Sequence, residues 1–149
     1  MCENPVCSNE RNMVYLLVVI TTFTERHKIM KRNESSENYL ETILILGKSH
    51  PVVRSVDIAE ELGFKKSSVS VAMKHLRENN HIVVSKEGFI TLTPEGREIA
   101  EMIYERHELL SSWLTSLGVP AEIASEDACR IEHDLSKESF EALKRHINQ

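Results

Sequence analysis

Cysteine is the first thing this sequence has little of. There are three in 149 residues, and two of them, Cys2 and Cys7, lie in the first seven positions. An odd count with that placement excludes a disulfide framework and points to a reducing, cytoplasmic setting. Cys2 and Cys7 also have no second pair nearby with which to form a zinc knuckle. Long apolar runs are scarce too. The one that stands out, Met13 to Phe23, has about eleven residues against the roughly 20 that a helix needs to span a bilayer. The segment before it carries Glu3 and Glu10 beside Arg11, and no small-residue cleavage site follows, so it is a poor secretory signal. No excess of positive charge exists either. The net charge of −5 argues against general polyanion binding by the whole surface, while leaving room for a local basic face.

What is present is uneven charge and regular apolar spacing. The apolar fraction of 41% supports a real core, and 28% charged residues suit a soluble chain of one domain or two small units. Residues 65 to 86 hold Lys65, Lys66, Lys74, Arg77 and Lys86 against the single acid Glu78, whereas acids outnumber bases from Pro94 onward. A basic segment followed by an acidic one suggests a nucleic-acid reader joined to something else.

Residues 1–29 differ from the rest and are expected to be a tail without assigned role, with Met30-Lys31-Arg32 resembling a natural start. From Ser35 the pattern predicts a helix capped by serine, apolar at Tyr39, Leu40, Ile43, Leu44 and Leu46 and closed by Gly47. Ser55 is expected to cap a short helix, Val56 to Leu62, ended by Gly63. A third helix follows over Lys66 to Glu78, apolar at Val69, Ala72, Met73 and Leu76. Its other face carries Ser67, Ser68, Ser70, Lys74 and Arg77, hydroxyls and bases suited to phosphates and base edges. Short helix, glycine turn and basic helix make a helix-turn-helix. Period-two alternation over His81 to Ser85 and Phe89 to Thr93, around Lys86-Glu87-Gly88, predicts the hairpin wing of a winged helix.

Thr93-Pro94 then opens a long helix to about Leu117, with a broad stripe of Ile99, Ile103, Leu109, Leu110, Trp113, Leu114 and Leu117. Pro120 opens another through His133, and Ser136 caps a last helix with Phe140, Leu143 and Ile147 apolar. This apolar surplus suggests a homodimerisation unit. The expected fold is mainly α with a β-hairpin wing: a DNA-binding domain over residues 30–93 and a helical metal-binding and dimerisation domain over 94–149.

The chemistry concentrates in Cys129-Arg130-Ile131-Glu132-His133. A thiol, a carboxylate and an imidazole at i, i+3 and i+4 share one face of a helix. That mixed donor set suits manganese, iron, zinc or cobalt rather than calcium or magnesium. One turn cannot complete a coordination sphere, so partners must come from elsewhere.

From about Ser36 to Asn148 the chain resembles the metal-dependent repressors of the diphtheria toxin repressor and manganese transport regulator family. The resemblance rests on Glu37-Asn38-Tyr39-Leu40-Glu41-Thr42-Ile43, Asp57-Ile58-Ala59, Lys66-Ser67-Ser68-Val69-Ser70, Leu92-Thr93-Pro94-Glu95-Gly96, Arg106-His107-Glu108-Leu109-Leu110 and Glu126 through His133. It implies a short, two-domain form without a C-terminal SH3-like domain. It also implies a metal site of Asn38 and Glu41 from the first helix, His107 from the long one, and Cys129, Glu132 and His133. Manganese-type members have Asp and Glu where this chain has Asn38 and Cys129, so the set is a hybrid. The neutral amide and the thiol tilt it from Mn2+ towards Fe2+, Co2+ or Zn2+. An ancillary site is not expected, because its counterparts here are Ser111 and Ser125. The function implied is a metal-activated, homodimeric repressor on a two-fold double-stranded DNA site, controlling metal-ion uptake or homeostasis. The alternative is a winged-helix regulator answering a small ligand, its metal site structural only.

Overall fold

The computed structural model describes residues 34–148, all but the first two of them in the compact unit Ser36–Gln149. The expectation for residues 1–29 lies outside them. Six helices and one hairpin follow in order: α1 (residues 34–49), α2 (Ser55–Glu61), α3 (Lys66–Glu78), β1 (Ile82–Val84), β2 (Ile90–Leu92), α4 (Pro94–Ser116), α5 (Ala121–Ile131) and α6 (Lys137–Ile147).

The first core is that of the winged helix. Tyr39, Leu40, Ile43 and Leu44 of α1 pack with Ile58 and Ala59 of α2, Val69, Met73 and Leu76 of α3, and Ile82 and Ile90 of the hairpin. In α3 the three buried residues recur at helical spacing, as expected from the sequence, and the helix takes the expected bounds. Gly63 turns the chain between α2 and α3 at φ +64, where a side chain would be strained.

Several boundaries move. Ser35 is already helical rather than a cap, and Gly47 does not end α1. The helix gains a last partial turn because the His50 N–H and the Ser49 hydroxyl both donate to the Leu46 carbonyl, at 2.8 and 3.2 Å. Ser55 does not cap α2. Arg54 holds that position, and its N–H donates to the Asp57 carboxylate at 2.7 Å. The strands are shorter than expected, three residues each, paired Ile82 with Leu92, Val83 with Thr91 and Val84 with Ile90. Ser85 leaves the ladder to build the turn, its hydroxyl accepting from the Glu87 and Phe89 N–H groups. Val53 adds an isolated bridge to Ile90 that alternation over so short a stretch does not reveal.

Thr93 caps α4 as expected, accepting from the Gly96 N–H at 3.1 Å. Gly96 is compulsory for another reason: a Cβ there would lie 1.9 Å from the His81 carbonyl oxygen. The first turn of α4 thus rests directly on the entry to β1. Ile103 and Leu110 of α4, Ala124 and Ala128 of α5, and Phe140 of α6 form the buried interior of the C-terminal helices. Met102, Leu117, Ile123 and Ile131 remain exposed. α5 ends at Ile131, two residues before the expected end. Glu132 still keeps helical angles and donates its N–H to the Ala128 carbonyl at 2.9 Å, so the helical spacing survives as far as Glu132, and His133 stands in the turn beyond. No helix among the described residues is long and apolar enough to cross a membrane.

Candidate metal centre and DNA-binding face

Glu132 is the hinge of the site. Its side chain is fully buried, and it belongs to two groups of three donors, Cys129 with Glu132 and His133, and Glu41 with His107 and Glu132. Within each group one ligating atom per residue lies within 4.8 Å of the others. Three separate helical elements therefore meet at one carboxylate: α1, α4 and the end of α5.

A buried carboxylate must be compensated. The His107 Nδ1 lies 2.9 Å from Glu132 Oε2. Glu132 Oε1 is 3.3 Å from His133 Nε2 but has no aligned hydrogen-bond partner. His133 is bracketed by α1, with Nδ1 2.7 Å from Glu37 Oε2 and Nε2 2.8 Å from Asn38 Oδ1. Asn38, Glu41, His107, Cys129, Glu132 and His133 are thus all brought together. All six bear donors of the kinds expected, and only Cys129 is exposed.

The electrostatics are those of crowded acids sharing protons. Burial, and then the nearby Glu132 carboxylate, push Glu41 up to about 7. The hydrogen bond to Glu132 raises His107, against the opposing effect of burial. Burial pulls His133 down, but hydrogen bonds to Cys129 and Glu37 and the charges of Glu132 and Glu37 outweigh it and lift the imidazole to about 10. Both His133 nitrogens then donate. A Glu41 carboxyl raised to about 7, imidazoles with raised proton affinity and one orphaned buried oxygen mark a cluster short of positive charge. A divalent transition metal fits that deficit and the N, O and S donors present.

Two participants were not legible as such. Glu37 sits one turn before Glu41 on α1, and that i, i+4 spacing was the available signal. Arg106 is buried, and its Nη1 donates to the carbonyls of Glu132 and Leu135 at 2.8 and 2.9 Å while the guanidinium lies over the Phe140 ring. It clamps the turn that carries the donors. Its signal was a charge on the apolar stripe, three residues after Ile103 and four before Leu110. Ser125, one of the two serines at the counterpart positions of the ancillary site, places its hydroxyl 3.3 Å from His107 Nε2.

The second face is that of α3. Lys65 is its N-cap residue, and Lys66, Ser67, Ser68, Ser70, Lys74 and Arg77 are all exposed, as is Lys86 at the tip of the wing. Lys74 is paired loosely with Glu78 at 3.8 Å, a solvated contact of little energetic weight.

A winged helix whose first helix also borders a cluster of metal-type donors on α4 and the end of α5 defines the class: a DNA-binding protein with a candidate metal centre. Two family descriptions match, "Iron dependent repressor, N-terminal DNA binding domain" over residues 31–89 and "Iron dependent repressor, metal binding and dimerisation domain" over residues 93–149. The chain is 37% identical over 109 residues to the HTH-type transcriptional regulator MntR of Geobacillus kaustophilus (strain HTA426), covering 73% of this chain and 77% of that one. Among solved structures, the manganese regulator SloR aligns with a TM-score of 0.69 at 27% identity over 76% of this chain and 53% of that one. A manganese-dependent transcriptional repressor in complex with manganese aligns at 0.70 and 26%, over 76% of this chain and 52% of that one. The chain spans about half the length of those two solved chains. It belongs to the iron-dependent repressor family, and is a metal-dependent transcriptional regulator rather than an enzyme.

Proposed function

We propose that this chain is a cytoplasmic, homodimeric repressor activated by Mn2+ or Fe2+, with Zn2+ or Co2+ able to occupy the same donors, and that it controls genes of metal-ion uptake or homeostasis. The division of labour falls near residue 93, between a reader and a metal-binding, dimerising unit. Asn38, Glu41, His107, Cys129, Glu132 and His133 are the metal-binding set. The observation that carries the reading is the two-sided use of α1. Leu40, Ile43 and Leu44 are buried in the reader's core, while Glu37, Asn38 and Glu41 border His133, His107 and Glu132 of the other half.

A bound divalent ion supplies positive charge to the deficit around Glu132. Glu41, freed of its proton, and His107 and His133, each with a nitrogen turned into the cluster, then hold α1 against α4 and the end of α5. Because α1 is rigid within the reader, fixing α1 fixes the bearing of α3. In a two-fold dimer, whose contact surface draws on the exposed Met102, Leu117, Ile123 and Ile131, this sets the spacing of two α3 helices in successive major grooves of a two-fold operator. Lys65, Lys66, Ser67, Ser68, Ser70, Lys74, Arg77 and Lys86 face the DNA. A coupling of about 1–3 kcal/mol, ordinary for allostery, gives roughly a 5- to 150-fold change in operator affinity.

The test is operator binding at buffered free Mn2+, Fe2+ or Zn2+, and again with a chelator. Binding equally tight with the chelator present refutes metal activation.

A further inference from the structure

The exposed face of α3 contains one residue that neither folding nor phosphate binding explains. Val71 is 57% exposed, the only large apolar side chain of α3 left in solvent. At about 100° per residue it stands within roughly 40° of the point opposite each of Val69, Met73 and Leu76, the buried stripe. Val71 is therefore at the centre of the face turned away from the core. A β-branched, solvated residue in mid-helix is a poor helix former and gains nothing from burial.

Its neighbours on that face divide the helix in two. Towards the C-terminus are Lys74, His75 and Glu78, which pair with one another at 3.8 and 3.6 Å. Towards the N-terminus, the end of a recognition helix that approaches base edges, are Ser67 and Ser68, both exposed. Serine hydroxyls donate and accept without strong preference. The side chains that read guanine or adenine by two hydrogen bonds are Arg or Lys and Asn or Gln, and none stands beside Val71 on the N-terminal half of this face. An isopropyl group between hydroxyls matches one feature of the major groove, the C5 methyl of thymine.

We propose that Val71 is a specificity-determining residue that reads a thymine methyl in each half-site; this rests on the DNA-binding role of α3 proposed above. The affinity gained from removing one methyl-sized apolar contact from water is about fourfold per half-site, hence about fifteenfold when both are changed.

The full-length protein, loaded with Mn2+, is used to select its binding site from random duplex DNA. Each thymine of the selected half-site is then replaced by deoxyuridine, which removes the methyl and keeps every hydrogen bond. The expected result is one thymine per half-site whose replacement weakens the wild type about fourfold and leaves Val71→Ala unaffected. Val71→Thr, which keeps one methyl, should retain part of the sensitivity. Uridine replacements that weaken the wild type and Val71→Ala equally, or neither, overturn the proposal while leaving the regulator reading intact. Failure to select any sequence, with the protein shown to be metal-loaded, overturns both.

Discussion

Replacing Arg106 by alanine strips the buried carbonyl of Glu132 and the half-buried carbonyl of Leu135 of their shared donor. Hydrogen bonds from a charged donor are worth about 1.5–3 kcal/mol each. Two opposing effects reduce the total. The guanidinium carries its own desolvation cost, and its Nε is buried without a partner. Taking the lower end for both bonds leaves a net destabilisation of about 3 kcal/mol. Arg106→Met restores much of the packing on Phe140 but not the bonds, so it should recover only a minor part. Lysine keeps the charge and enough N–H donors, but its nitrogen sits on a shorter side chain than the Nη1 that reaches both carbonyls, so Arg106→Lys should fall between. Stability is read by urea unfolding in the presence of chelator. Since the 132–135 turn carries two donors, metal affinity should drop about 10- to 100-fold in the alanine variant, the usual effect of losing a group that orients a ligand. That drop is measured by competition with a chelating dye on protein shown to be folded, so that a purely structural role is distinguished from positioning. A loss under about 1 kcal/mol with metal affinity unchanged in all three variants refutes the clamp.

Glu132→Ala removes the residue common to both donor groups and should abolish the response of DNA binding to metal while helical circular dichroism is retained; a normal metal response in a gel-shift titration contradicts its role. Metal binding at pH 7 should release more than one proton, since His133, lifted to about 10, is protonated and Glu41, lifted to about 7, is about half so. The enthalpy measured by calorimetry should therefore depend on the ionisation heat of the buffer, and independence counts against the proton-sharing cluster. In the metal-free chain both raised values favour the fold at low pH. The Glu41 contribution is lost as pH rises from 4.5 through about 7, and that of His133 from 6.5 through about 10, so thermal stability in chelator should decline across that window. Gly96→Ala drives a methyl to 1.9 Å from the His81 carbonyl and should cost about 3 kcal/mol in a melting experiment, at the upper end for overpacking because backbone cannot step aside.

How much of this was legible varies with the range of the interaction. α3 was readable to the residue because its signal is local: Val69, Met73 and Leu76 recur on one face and Gly63 supplies the turn. The Cys129–Glu132–His133 grouping was readable for the same reason, even though α5 ends before Glu132. Boundaries were less so. Ser55 offers a cap by residue type, but the Arg54 N–H found the Asp57 carboxylate first, and one-residue competitions of that kind are decided by loop geometry. Glu41 and His107 were reached through resemblance alone, since residues 92 and 26 positions from His133, on other helices, carry no periodic sign of it. Glu37 and Arg106 were not reached at all. A carboxylate on a half-exposed helix reads as solvated until an imidazole is found 2.7 Å away. An arginine on an apolar stripe reads as a snorkelling charge until two carbonyls are found waiting for it.

The contacts of α1 with His133 bear on the pH dependence of metal binding. Glu37 and Asn38 lie 2.7 and 2.8 Å from the His133 nitrogens, so a protonated imidazole links α1 to the turn after α5. A metal that takes up His133 must displace a proton from it. With His133 at about 10, freeing its second nitrogen at pH 7 costs about 4 kcal/mol, which weakens apparent metal affinity by close to a thousandfold. Glu37 sustains much of that elevation. Glu37→Gln keeps the shape and one acceptor but removes the charge, so the imidazole should lose its proton at lower pH. Metal affinity of the wild type should climb with pH until about 10, while that of the variant should level off earlier. At pH 6 the variant competes better against protons. Near pH 10 it loses that advantage and lacks the carboxylate that orients the ring, so the two curves should converge or cross. Titrations with a metal-buffered dye from pH 6 to about 10, on protein without DNA, resolve the profile. Parallel curves, with the variant weaker by one constant factor throughout, would mean that Glu37 only orients His133 and does not set its proton affinity.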